Sequence, residues 1–146
     1  MRETQDDRRD PMLRRPDNLP RLLACIICQR PEDGAVTDIN TPRSGSRLLA
    51  ELKAQAAKDS RLAGLSVEPA RCMYNCQRDC SVHLRAPGKP GVMIDHMGTD
   101  AGSARAVLDY AAAYLASEDG TVASADQPPA LEGRVSVWSP PERYLA

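Results

Sequence analysis

An α/β domain, a mixed four-stranded sheet with helices packed on it, is the fold class that this chain predicts, and three observations carry it. Short apolar or alternating runs at 22–27, 65–68, 81–85 and 91–95 have the length of strands. Two longer segments, 44–61 and 99–117, repeat apolar residues at helical spacing. The two kinds of segment interleave in the order β-α-β-β-β-α. A strand joined to the next through a helix implies a right-handed crossover and a parallel pair, whereas a short link between strands implies an antiparallel hairpin.

Residues 1–20 are charged and broken by Pro11, Pro16 and Pro20, which predicts a flexible N-terminal arm. The domain itself is expected over 21–120. Its first strand, Leu22 to Ile27, runs into the turn-rich Arg30-Pro31-Glu32-Asp33-Gly34. Ser44 or Ser46 is placed to cap a helix continuing to about Arg61, with Leu48, Leu49, Leu52 and Ala56 on its buried side and Gly64 to stop it. Leu65-Ser66-Val67-Glu68 alternates as a strand, and Pro69, which cannot donate to a ladder, is expected to end it. Residues 81–85 and 91–95 pair as a hairpin through Ala86-Pro87-Gly88-Lys89-Pro90. A second helix begins near Thr99 or Asp100 and runs to Ser117, with Val107, Leu108, Ala111, Tyr114 and Leu115 inward and Gly120 just beyond. Residues 121–146 form a C-terminal extension holding one short extended piece at 134–138, whose Trp138 is expected to pack on the core.

Composition narrows the function. The chain of 146 residues has no Phe, one Trp and four Tyr, so aliphatic residues must fill the core. Nineteen basic against twenty acidic residues leave a net charge of -1, which gives no footprint for nucleic acid or an anionic membrane. No apolar run approaches the roughly 20 residues of a membrane span, and residues 1–20 lack the apolar core of a signal peptide. A cytoplasmic location is expected. In such a reducing compartment, closely spaced cysteines indicate metal or redox chemistry before structural disulfides.

Five cysteines stand in two clusters, Cys25-Ile26-Ile27-Cys28 and Cys72-Met73-Tyr74-Asn75-Cys76-Gln77-Arg78-Asp79-Cys80. Both follow predicted strands, so two loops can meet at one end of the sheet. Forty-three residues separate Cys28 from Cys72, far more than the roughly 15–20 of a compact zinc ribbon. The spacings match neither bacterial two-cluster nor plant-type ferredoxins. Four thiolates suit either an iron–sulfur cluster or zinc. Two suit a redox dithiol, although Pro31 to Gly34 follow Cys28 too soon for the helix start that lowers a nucleophile's pKa. His83 and His96 lie at no ligand spacing to the cysteines, and no triad or carboxylate pair accompanies Asp95 with His96 or Ser81 with His83. Lys89 lacks the glycines of a phosphate loop and reads as a turn residue.

Chain order and cysteine placement together resemble the thioredoxin-like [2Fe-2S] ferredoxins. Cys25-Ile26-Ile27-Cys28-Gln29-Arg30-Pro31 looks like that family's first ligand loop, and Arg71-Cys72-Met73-Tyr74-Asn75-Cys76 like its second. From about residue 22 to 141 the chain is also similar to a family of small predicted metal-binding proteins. That similarity rests on the same cysteines, Ala86-Pro87-Gly88-Lys89, Asp119-Gly120 and Gln127-Pro128-Pro129-Ala130-Leu131. The resemblance implies a [2Fe-2S] cluster carrying one electron between redox partner proteins, with no catalysis by the protein itself. It carries ligand roles to Cys25, Cys72 and Cys76. Cys28 is favoured as the fourth ligand on two-plus-two logic, leaving Cys80 as a spare thiol or alternative ligand. Arg30, Arg71 and Arg78 flank the cysteines and could tune a cluster's potential. The alternative function is a metal-handling protein that binds zinc, cobalt or copper through the same thiols, since relatives tend to be linked with cobalamin or metal metabolism. The resemblance also admits a homodimer, which nothing in the sequence demands.

Overall fold

The computed structural model describes residues 19–73 and 76–139, without the side chains of Cys76, Trp138 and Ser139. Residues 1–18 of the expected arm, residues 140–146 of the expected extension and the packing of Trp138 lie outside the described residues. Strands β1 (Arg21–Cys25), β2 (Ser66–Ala70), β3 (Val82–Arg85), β4 (Gly91–Ile94) and β5 (Val135–Ser139) form one sheet, with α1 (Ser44–Ala56) after β1 and α2 (Ala101–Ala116) after β4. The strand order is β2-β1-β3-β4-β5, with β1 and β2 parallel and the other neighbours antiparallel. This is the mixed α/β class that the pattern predicts, with one strand more. The fifth is the extended piece at 134–138, whose Val137 and Val135 stand opposite Val92 and Ile94 of β4.

Alternation along the strands builds one apolar face. Leu22 stands beside Leu84, which stands beside Val92, while Ala24, Val82 and Ile94 make a second row; all six are at most 1% exposed. The core they share also takes in Leu48 and Leu52 of α1 and Ala104, Val107, Leu108, Ala111 and Tyr114 of α2. Burying a leucine contributes about 1.5–3 kcal/mol, whereas a side-chain cap contributes about 1 kcal/mol. Packing therefore suffices to hold α1, whose N-cap residue Arg43 makes no side-chain capping bond.

Two sequence-based boundaries change. α1 ends at Ala56 rather than near Arg61, because the Asp59 carboxylate accepts the Arg61 N–H and starts a separate short turn, Ser60–Leu62. β2 runs through Pro69 to Ala70. It lies at the sheet edge, where a residue without an N–H is tolerated.

The far helix is anchored at both ends. Lys89 donates from Nζ to the carbonyls of Tyr114 and Leu115, each at 2.9 Å, placing a cation on the C-terminal end of α2. Gly120 follows with φ +81°; a Cβ there would stand 2.8 Å from Lys89 Cβ and 2.9 Å from Pro90 Cδ, so no side chain fits. At the N-terminus, Asp100 accepts from the Ser103 N–H at 3.1 Å and the Ser103 hydroxyl at 2.7 Å, which holds its carboxyl below the usual range. Asp100→Ala is expected to cost about 1 kcal/mol in urea unfolding at neutral pH. Because the folded-state pKa is depressed, this contribution is present above about pH 4 and is lost as pH falls through the folded value. A variant whose deficit is unchanged at pH 3 would contradict it.

This topology decides what meets at the cysteine end. β1 and β2 finish there, β3 starts there, and α1 and α2 both begin there. Two helix N-termini thus bring positive dipole ends to the region where thiolate charge would develop.

Candidate metal centre

β1 ends in Cys25, and the chain turns at once, with the Cys28 N–H directed to the Cys25 carbonyl at 3.4 Å. Three neighbours fix this loop. The Cys25 N–H donates to Ser81 O at 3.2 Å, and the Ile26 N–H donates to Ala70 O at 2.9 Å. The third neighbour is the start of α1, whose Ser44 and Gly45 N–H groups donate to Gln29 Oε1 and Cys28 O at 2.9 and 3.0 Å. Neither Ser44 nor Ser46 caps the helix as expected, because both lie inside it and loop atoms already accept its leading amides. Ser46 donates instead to Ile26 O at 3.1 Å, and the Ser44 hydroxyl accepts the Arg30 N–H and donates to Asp33. A Cβ on Gly45 would lie 1.8 Å from the Cys25 carbonyl oxygen. The helix can sit this close to the cysteine loop only on glycine.

The structure sets Cys80, the expected spare thiol, beside Cys28. Cys25, Cys28 and Cys80 are 1%, 4% and 0% exposed, and none is in a disulfide. The Cys28 thiol lies within hydrogen-bonding reach of the Cys80 and Cys25 thiols and of the Asp79 side chain, and it receives the Ser81 N–H. The Cys25 sulfur receives the N–H groups of Met73 and Ile27. The Met73 contact brings the second cysteine loop onto the first. Cys80 is tied to the loop before α2 by a pair of backbone bonds with Met97, at 3.0 and 3.4 Å.

The other expected residues separate. Cys72 lies exposed just beyond the end of β2, and the Cys76 side chain is outside the described residues. Arg78 bonds the buried Asp95 at 2.8 Å, and Arg30 pairs with Glu32 at 3.5 Å, so the charge of each is directed to a carboxylate. His83 stands on β3 between Leu23 and Met93, its pKa lowered by burial and by Arg85. His96 is exposed in the loop after β4, at φ 54°. Lys89 serves the turn and the end of α2, as its turn reading implies. What the sequence does not reveal is Asp79 beside Cys28, Gly45 under Cys25, and the amide donors. Only Gly45, set between two serines at a helix start, carried any signal.

Electrostatics sets the state of these thiols. The Cys80 thiol beside it, and then burial, push the Cys28 thiol far above the usual range. Burial, and then Cys28, raise Cys25. A catalytic dithiol needs the opposite shift, so this pair is poorly suited to thiol catalysis. Among the described residues no three His, Cys, Asp or Glu side chains form a ready-made metal cage. The sulfurs form a chain instead. Buried thiols from two loops, with backbone N–H groups aimed at sulfur, are nonetheless the donor chemistry that a thiolate-bound cluster uses.

The order and pairing of strands and helices give a thioredoxin-like fold. The chain belongs to the family described as protein of unknown function (DUF1636), whose family model matches residues 22–141. A solved structure of similar fold is the thioredoxin-like [2Fe-2S] ferredoxin from Aquifex aeolicus. It is 16% identical, with 86% of this chain and 97% of that chain covered and a TM-score of 0.50. No curated protein matches the chain. Among the described residues no helix is long and apolar enough to cross a membrane.

Proposed function

We propose that the protein is a ferredoxin-like electron carrier that holds one [2Fe-2S] cluster and passes single electrons between redox partner proteins. The observation that carries this reading is the meeting of the two cysteine loops, where the Met73 N–H reaches the Cys25 sulfur. Cys25 and Cys28 from the first loop and Cys72 and Cys76 from the second would hold the cluster, with Cys80 as the alternative to Cys28. When bound, such a cluster supplies a one-electron store whose potential depends on hydrogen bonds to its sulfurs and on burial. The protein's share of that tuning is the Met73 and Ile27 amides on Cys25, the Ser81 amide on Cys28, and the two helix N-termini. Buried Cys25 and exposed Cys72 give the site a dry side and a solvent side, so a docked partner would approach sulfur ligands without entering the core. Carrying an electron in this way needs no catalytic residue.

A second reading is a metal-handling protein for zinc, cobalt or copper. It is favoured by Cys80, a fifth sulfur buried against Cys28 beyond the four that a cluster needs. Anaerobic purification followed by assays of iron, acid-labile sulfide and zinc, with spectra before and after reduction, separates the two. Two irons and two sulfides per chain with a reducible visible spectrum are expected. A colourless protein with stoichiometric zinc and no sulfide sinks the ferredoxin reading.

A further inference from the structure

We propose that the groove between the end of α1 and the edge strand β2 docks an extended acidic peptide segment of a partner protein, which adds to the sheet as a further strand. The ladder shows where such a segment can bond. The Ser66 N–H donates to Pro20 O at 3.0 Å, and Ala70 O accepts from the Ile26 N–H at 2.9 Å, so the even-numbered residues of β2 direct their backbone groups to β1. Val67 and Pro69 therefore turn theirs outward, to a side that no strand covers among the described residues. The edge offers the Val67 N–H as donor and the carbonyls of Val67 and Pro69 as acceptors. Pro69, which has no N–H, keeps the ladder from continuing, so the edge suits a short guest rather than open-ended strand addition.

The groove and its charge define what the guest carries. Val67 stands opposite Leu22 on the apolar face of the sheet. A guest residue paired with Val67 points its side chain to the same face, into an open groove of about 580 Å³ lined by Ala56, Leu62, Leu65 and Val67. Lys53 and Lys58 stand exposed on its rim, and among the described residues neither enters an ion pair. The rim carboxylate of Asp59 does not neutralise them, because it is held by Arg61 at 2.7 Å and Arg105 at 2.8 Å. Two uncommitted cations beside an apolar floor fit a strand with apolar residues at alternate positions and carboxylates next to them. α1 begins at the cysteine end and finishes at the groove, so docking does not depend on a metal. β2 ends at Ala70, just before the exposed Cys72, and a docked partner lies along the strand that leads to the cysteine site.

The test is titration of the full chain with the fluorescein-labelled peptide Glu-Val-Thr-Val-Glu-Glu, read by fluorescence anisotropy and by amide hydrogen exchange on the complex. Saturable binding that weakens as salt is raised is expected, and the Val67 N–H should exchange at least about tenfold more slowly in the complex. The same peptide with N-methylated valines keeps its side chains and loses its donors, and should bind at least about tenfold more weakly. The double variant Lys53→Glu, Lys58→Glu should bind the acidic peptide at least about fivefold more weakly, and should prefer a peptide with lysines in place of the glutamates. Both substituted positions are exposed, so its unfolding midpoint should match wild type. No saturation with the full chain, affinity indifferent to the charge reversal, or an unchanged Val67 exchange rate overturns the proposal. Self-association that the double variant abolishes also overturns it, by giving the groove to a second copy. Metal-free chain should bind the peptide equally, so a colourless zinc protein that binds it leaves the docking site standing.

Discussion

Replacing Gly45 with alanine is expected to cost about 3 kcal/mol of stability and, under the proposed cluster-binding function, to lower the metal held at the cysteine end. The new methyl would stand 1.8 Å from the Cys25 carbonyl oxygen and 2.9 Å from its carbon, where non-bonded atoms normally rest about 3.5–4 Å apart. Neither atom belongs to a side chain that can swing away. α1 can retreat only by giving up the Gly45-to-Cys28 backbone bond at 3.0 Å and the Ser46-to-Ile26 bond at 3.1 Å, both of which hold the cysteine loop. Alanine is otherwise the better helix former by about 1 kcal/mol, so a stabilised variant would mean that the close approach is not there. The collision outweighs that gain in helix propensity and decides the sign. Gly64→Ala is the control, since a Cβ there meets nothing within 4 Å, and its urea midpoint should shift by less than about 0.5 kcal/mol equivalent. Gly45→Ala with the wild-type midpoint and metal content would remove this account of the loop.

How much of this was legible in sequence depends on whether a feature leaves a local trace. Leu22, Ala24, Val82 and Leu84 alternate, and Val107, Leu108, Ala111 and Tyr114 recur at helical spacing, so the sheet and α2 could be read from pattern alone. Pro69 misleads because its cost depends on whether its strand is an edge, a property of the assembled sheet. Ser44 and Ser46 mislead because their hydroxyls answer to loop acceptors brought in from residues 26–33. Residues 134–138 become a full strand only once β4 offers them an unpaired edge. At the site, the cysteines announce themselves by spacing, but the donors to their sulfurs are backbone amides of Ile27, Met73 and Ser81, which have no residue signature. Arg30 and Arg78 lie near the cysteines in sequence, yet pair with Glu32 and Asp95. Proximity in sequence told where they are and not what they hold.

Under the proposed cluster-binding function, the matched pair Cys28→Ser and Cys80→Ser is expected to give opposite results in metal content, with iron falling at least about tenfold in the first and staying near wild type in the second. The comparison is well controlled by the structure. Both side chains are buried, at 4% and 0% exposure, both belong to the same core cluster, and each lies against the other. Exchanging sulfur for a buried hydroxyl should therefore cost the two variants similar stability, about 1–3 kcal/mol, so equal unfolding midpoints with unequal iron would isolate ligation from packing. Cys28 belongs to the loop of Cys25, the cysteine whose sulfur takes the Met73 amide, and is thus on the side of the site that the second loop reaches. Cys80 is tied by its two backbone bonds to Met97 to the loop before α2, apart from the turn that carries Cys25 and Cys28. Iron lost from Cys80→Ser and retained in Cys28→Ser would transfer the fourth ligand position to Cys80. The site would then draw one sulfur from the first loop and three from the second.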